Sequence, residues 1–225
     1  MIGPFALACL DMAGTTVRDG GAVEAAFTSA LGAVGIAEGS PRYEEAQVFV
    51  RETMGWSKAD VFARLLELGE AEEATAAFAT AYEAIVAAGD VTEIPGARQV
   101  LRDLRARGVQ VCLTTGFAPS TRDALLRALG WGPEVDLALS PADVGRGRPA
   151  PDMILGAMAR LGVDDPRAVA VVGDTVSDLE AGHAARAGAV IGVLSGAHDE
   201  AALAAASPTA IIPDVTHLLG VLASG

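Results

Sequence analysis

The chain has 225 residues, 51% of them hydrophobic and 20% charged, with a mean hydropathy of +0.38; it can bury a full core, which excludes global disorder. Sixteen basic residues against 29 acidic ones leave a net charge of −13, so no basic surface is expected to hold a nucleic acid or an anionic membrane. Twenty-six glycines and 11 prolines fall without a period, which excludes collagen-like and solenoid repeats, and the length suits one compact domain carrying a sizeable insertion.

From the amino end, MIGPFALACLDMAG lacks a basic segment ahead of its apolar run and meets Asp11 early, unlike a signal peptide. No uninterrupted run of about 18 apolar residues follows, so no bilayer span and a cytoplasmic location are expected. Residues 5–10 (FALACL) are the first expected strand, apolar throughout like a parallel strand covered on both faces. Residues 22–34, 43–54, 57–68 and 71–87 then read as four helices, with no strand between 23 and 88. They are expected to form a helical cap at 19–90, entered near 18–21 and left near 90–96, with 1–18 and 91–225 as the core. Beyond it, helices at 97–107, 121–129, 152–161 and 177–187 alternate with strands at 109–113, 135–139, 169–172 and 190–193, and 210–212 is a candidate sixth strand. Met153, Leu155, Met158 and Leu161 show the spacing of a helix with one buried face. This alternation predicts an α/β fold: a right-handed, doubly wound parallel sheet, a Rossmann-like core, with an inserted helical cap domain. Cys9 and Cys112 lie inside apolar strands and are expected to be buried free thiols.

Polar groups cluster where apolar strands end. The first strand runs into Asp11-Met12-Ala13-Gly14-Thr15-Thr16, the second into Thr114-Thr115-Gly116-Phe117 and the fourth into Gly173-Asp174-Thr175-Val176-Ser177-Asp178; a loop between carries Gly147-Arg148-Pro149-Ala150-Pro151-Asp152. Singly, each is ordinary. An Asp after a strand serves turns and helix caps, Thr115-Gly116 makes a turn, and Asp174 and Asp178 suit a helix N-terminus. Gathered on one edge of one sheet, they supply what phosphoryl transfer to an aspartate needs. One carboxylate attacks phosphorus, others hold Mg²⁺ between two anions, and a hydroxyl and a guanidinium ligate the phosphoryl oxygens.

This constellation resembles the haloacid dehalogenase-like hydrolase superfamily over nearly the whole chain, and the insertion after the first strand is similar to that superfamily's small helical cap. The resemblance implies Asp11 as nucleophile, Thr115 as phosphate-binding hydroxyl and Arg148 as phosphate-side cation. It implies Asp174 as a Mg²⁺ ligand together with Asp11 and the backbone carbonyl of Ala13, with Asp178 supporting the metal site. Most phosphatases of the superfamily carry a second Asp two residues after the nucleophile; here Ala13 stands there, and losing a general acid costs on the order of 10²–10⁴ in rate. The stretches DMAGTTV, TTGF, SPADVGRGRPAP and VGDTVSDLEAG are instead similar to the phosphonoacetaldehyde hydrolases, or phosphonatases, which share that Ala and an Arg in the third motif.

Phosphonatases form a Schiff base between the substrate aldehyde and a cap lysine in an MGxxK motif, and this chain has Met54-Gly55-Trp56-Ser57-Lys58. The resemblance therefore implies a small phosphonate substrate, Lys58 as the imine-forming amine, and Ala13, Gly116, Met54 and Trp56 bordering the substrate. It also implies a homodimer through the cap, which the apolar face of residues 22–34 permits. Two positions depart from the pattern: Val61 and Phe117 stand where phosphonatases have His and Tyr, so the group that moves protons around the carbinolamine is unassigned. Ser57-Lys58-Ala59-Asp60 reads as a capping-box-like helix start. There the helix dipole disfavours the Lys58 ammonium by roughly 0.3–1 kcal/mol, and desolvation must do the rest.

Other readings stay open on the residues. A phosphomonoesterase would use Lys58 only to bind a small phosphate ester. A signalling receiver also phosphorylates an Asp, but its acceptor does not follow the first strand and it carries no helical insertion. A substrate-binding protein without catalysis has no reason to keep Asp11, Asp174 and Asp178. The GxGxxA match at Gly145–Ala150 is interrupted by prolines. His183, His198 and His217 lack metal-ligand spacing and read as surface or helix residues, Trp131 reads as a packing residue, and Ser195-Gly196 follows a strand near the site.

Overall fold

In a computed structural model that describes residues 5–224, the first apolar run is strand β1 (Leu7–Asp11), buried at every position. Residues 1–4, the head of the segment read as lacking a leader, and residue 225 lie outside the described residues. After β1 come β2 (Val17–Arg18), four helices α1 (Ala22–Ala33), α2 (Pro41–Glu52), α3 (Lys58–Leu65) and α4 (Leu68–Ala88), and β3 (Thr92–Glu93). Strands β2 and β3 pair antiparallel, Val17 with Glu93 and Arg18 with Thr92, so a two-stranded ribbon brackets the helical insertion. Two residues per strand carry no readable periodicity, which is why the ribbon escaped the sequence analysis.

The rest of the chain alternates as expected: α5 (Ala97–Ala106), β4 (Gln110–Thr114), α6 (Pro119–Leu129), β5 (Leu137–Leu139), α7 (Asp152–Leu161), β6 (Val169–Gly173), α8 (Val176–Ala184) and β7 (Ala189–Val193). Helix α9 (Glu200–Ala205), strand β8 (Ala210–Ile212) and helix α10 (Leu218–Ser224) complete it; the two short helices were not anticipated. All strands of the main sheet are parallel, in the order β5-β4-β1-β6-β7-β8. Strand β5 is shorter than the expected 135–139 because Asp136 turns its carboxylate back to accept the Val111 N–H at 2.8 Å. Helix α8 stops before 187, and Arg186 adopts a left-handed φ of 59°. Among the described residues no helix is long and apolar enough to cross a membrane.

Alternate residues of β1 feed two layers. Ala8 and Leu10 join a core with Val111, Leu113, Val172 and Ile191, while Leu7 and Cys9 pack with Cys112, Val171 and Met153 on the opposite face. The first core continues without a break into the insertion, through Phe27, Phe62, Phe78 and Tyr82. Phe78 lies 4.9 Å from Phe27 and 6.0 Å from Tyr82, and Tyr82 lies 4.5 Å from Phe117 in the loop after β4, all centroid to centroid. Such pairs contribute about 0.5–1.5 kcal/mol each beyond their buried area, so this aromatic column holds the insertion against the sheet edge. The apolar face of α1 (Ala26, Phe27, Ala30, Leu31) is spent inside the chain, packed chiefly on α4. The face cited in favour of a dimer is therefore not available to a second copy.

Candidate active site

Strands β4 and β6 flank β1 on opposite sides, so the carboxyl ends of these three strands open a crevice at the point where the chain's connections diverge. The insertion stands over that crevice and closes a cavity of about 540 Å³, a volume suited to a small molecule. Of the residues expected at the site, Asp11, Ala13, Met54, Lys58, Thr115, Gly116, Arg148 and Asp174 line it, and Trp56 and Asp178 do not. The Trp56 ring carries the Arg64 guanidinium at 4.7 Å, and its backbone carbonyl closes against Gly116 where a side chain would stand.

Asp11 ends β1 and is 5% exposed. Arg148 Nη1 donates to its Oδ1 at 2.6 Å and also to Asp178 Oδ1, while the buried Arg148 Nε has no partner among the described residues. Burial pushes the Asp11 carboxyl above the usual range, against the opposing charge of Arg148. Thr115 Oγ1 accepts the Phe117 N–H at 3.2 Å, which leaves its own proton free for an incoming oxygen. Gly14 has a φ of 87°, and Asp174 occupies the space its side chain would need, so only glycine lets the turn after β1 lie flat on that carboxylate.

Asp174 accepts from Thr15 Oγ1 at 3.1 Å and from the Ala197 N–H at 2.8 Å. Burial, and then the negative charge of Asp11, push its carboxyl up to about 7. Asp178 has both oxygens committed: Oδ1 to Arg148, and Oδ2 to the Thr175 N–H at 3.1 Å and Oγ1 at 2.6 Å in a capping box that starts α8. Among the described residues no three His, Cys, Asp or Glu side chains converge closely enough to hold an ion alone. The groups that could hold an ion are two buried carboxylates, Asp11 and Asp174, with the negative charge of the first raising the pKa of the second, and the Ala13 carbonyl in the same cavity. Hard oxygen donors in that number, completed by water, fit Mg²⁺.

Lys58 begins α3, and its N–H donates to the Gly116 carbonyl at 3.1 Å, tying the insertion to the loop after β4. Ser57 holds the N-cap position, but its side chain makes no cap bond, so the expected capping box is absent. The Lys58 Nζ is buried 5.4 Å from the Phe27 ring centroid and 5.7 Å from that of Phe117. Burial, and then the charge of Arg148, lower its pKa to about 8 against the pull of Asp11, Asp19 and Asp174. It is also the only lysine in the chain, every other basic residue being arginine; a count alone would have singled it out.

Asp19, which no sequence motif marks, lies between β2 and α1 and lines the same cavity. Its carboxylate accepts the Val23 N–H at 3.2 Å and the Tyr82 hydroxyl at 3.4 Å. Embedded in Arg18-Asp19-Gly20-Gly21, it reads as a turn residue. His198 is half-buried in the loop after β7 rather than on the surface; it borders the cavity and accepts the Val176 N–H at 3.0 Å. Ser195 also borders the cavity, and its hydroxyl donates to the Gly14 carbonyl at 2.7 Å.

Known proteins resemble this chain in sequence and in fold. A phosphonoacetaldehyde hydrolase of Bacteroides fragilis is 38% identical over 109 residues, which are 48% of this chain and 41% of that relative's length. A probable phosphatase IndB of Dickeya dadantii is 30% identical over 223 residues, covering 95% of this chain and 92% of that one. A phosphonoacetaldehyde hydrolase like protein from Oleispira antarctica superposes with a TM-score of 0.81 at 25% identity, over 100% of this chain and 96% of that structure. Residues 5–186 match the family model of the haloacid dehalogenase-like hydrolases, and it is to that family that the chain belongs.

Proposed function

We propose that the chain is a Mg²⁺-dependent phosphonatase-like hydrolase, cleaving the C–P bond of phosphonoacetaldehyde or a close analogue, with residues 19–90 acting as its cap. The observation that carries this reading is the chain's single lysine, buried and of lowered basicity, in one cavity with an aspartate that has Ala13 rather than an acid two residues on. The Lys58 amine condenses with the aldehyde. Asp11 then attacks phosphorus while Arg148 and the Thr115 hydroxyl ligate the phosphoryl oxygens. The electron pair of the breaking P–C bond flows into the iminium and leaves an enamine, so no neighbouring acid has to protonate the leaving carbon as it departs. Water hydrolyses the Asp11 acyl phosphate and, separately, the imine that follows protonation of the enamine carbon. Asp11, Asp174 and the Ala13 carbonyl, with Asp178 in support, would hold Mg²⁺, which would supply positive charge between the anionic nucleophile and the anionic phosphonate.

The test is borohydride trapping with phosphonoacetaldehyde, read by intact mass and alongside phosphate release. The expected result is one reduced adduct on Lys58 and loss of both signals in Lys58→Ala. Unchanged phosphate release from Lys58→Ala overturns the reading. A second reading, a phosphomonoesterase for a small ester, is favoured by the near full-length match to a probable phosphatase and by Val61 and Phe117. It predicts turnover of p-nitrophenyl phosphate and no aldehyde-dependent adduct.

A further inference from the structure

Imine formation moves protons, and the two positions where phosphonatases carry His and Tyr hold buried, apolar Val61 and Phe117 here. Among the residues lining the cavity, four are carboxylates: Asp11, Asp174, Asp19 and Glu24. Asp11 must stay ionised to attack phosphorus, Asp174 belongs to the metal set, and Glu24 is exposed. Asp19 alone is half-buried and free of the phosphoryl machinery. Its orientation is fixed from two elements, by the Val23 N–H of α1 and by the hydroxyl of Tyr82, which is fully buried in α4. Tyr82 packs on Phe117 and Phe117 lies under the Lys58 Nζ, so carboxylate and amine flank one aromatic pair.

We propose that Asp19 is the proton carrier of the lysine site, a role that rests on the phosphonatase-like reading. Its carboxylate takes a proton from the Lys58 ammonium, and the freed amine adds to the aldehyde carbon. The proton on the new C–N nitrogen passes to the alkoxide to give the neutral carbinolamine. Asp19 returns its own proton to that hydroxyl, which leaves as water. Ammonium and aldehyde thus become iminium and water, and Asp19 ends ionised as it began. Burial raises the Asp19 carboxyl above its ordinary value while the Lys58 charge opposes the rise, which brings acid and amine closer in proton affinity. The groups facing this pair are Tyr82, Asp11, Arg148 and Asp174.

The simpler role for Asp19 is to cap α1, whose N-cap position holds Gly21 with no side-chain bond. Asp19→Asn separates the two, because an amide oxygen still accepts the Val23 N–H but cannot carry a proton. The experiment measures the rate of borohydride-trappable imine formation from phosphonoacetaldehyde in the Mg²⁺-loaded full chain, with the thermal midpoint as a fold control. Asp19→Asn should slow trapping on the order of 10²-fold at an unchanged midpoint, with formate restoring part of the rate and Asp19→Glu more of it. Trapping at the wild-type rate overturns the proposal, and so does a slowed rate with a lowered midpoint that formate does not lift. Absence of any adduct from the wild-type chain would instead sink the phosphonatase-like reading, and this role with it.

Discussion

The buried Lys58 trades stability for a reactive amine. With its folded-state pKa lowered from 10.5 to about 8, the folded chain carries a penalised ammonium below pH 8. That penalty is relieved between pH 8 and 10.5, where the unfolded chain binds more protons than the folded one and stability rises with pH. Lys58→Met should therefore stabilise the fold by up to about 3 kcal/mol below pH 8, an advantage that fades towards pH 10.5 in urea titrations, while imine trapping is lost. In the wild type, the trapping rate should hold up to about pH 8 and fall above it, because the proton that Asp19 carries comes from the Lys58 ammonium. Arg148→Ala should act in the opposite sense, since it strips the shared guanidinium from two buried carboxylates, Asp11 and Asp178. About 3–5 kcal/mol of stability should go, measured by urea unfolding in the presence of a chelator. Lys58, Asp11 and Arg148 were legible because each sits in a motif whose chemistry is spelled locally. Asp19 was not, because its partner Tyr82 lies 63 residues away along the chain.

Helices were readable where apolar residues recur at helical spacing and strands where an apolar run is unbroken, and α7 and β8 start and stop at the expected residues. Boundaries moved where a side chain competed for the backbone, as Asp136 does at β5. The ribbon β2–β3 and the contact between the loop after β4 and the start of α3 depend on tertiary meeting, not on any local pattern. That contact is tight enough to test. A side chain on Gly116 would press on the Trp56 carbonyl, beside the Lys58 N–H bond that ties the insertion down. Gly116→Ala should cost about 1–3 kcal/mol in chemical denaturation and slow imine trapping more than phosphate binding. The aromatic column gives the complementary expectation. Phe78→Ala, at its centre, should lose about 3–5 kcal/mol, read from the thermal transition.

Across the whole molecule, alternation of helix and strand predicted the parallel sheet, but the order β5-β4-β1-β6-β7-β8 comes from which helix covers which face. That order brings the buried carboxylates Asp11 and Asp174 together at one edge of a chain already at −13. Added Mg²⁺ should therefore raise the thermal midpoint, by about 2.7 kcal/mol of stability at a hundredfold excess over its dissociation constant, and Asp174→Asn should remove most of that gain. The ribbon has a separate consequence for how such a protein can change. Because Arg18 and Thr92 sit side by side, everything between them is a detour that leaves and rejoins the molecule at a single doorway. A detour of that kind can be lengthened, trimmed or exchanged for another module with adjacent ends without rethreading the strands. New specificities can then be acquired by transplanting the detour while the edge of the main sheet is inherited intact.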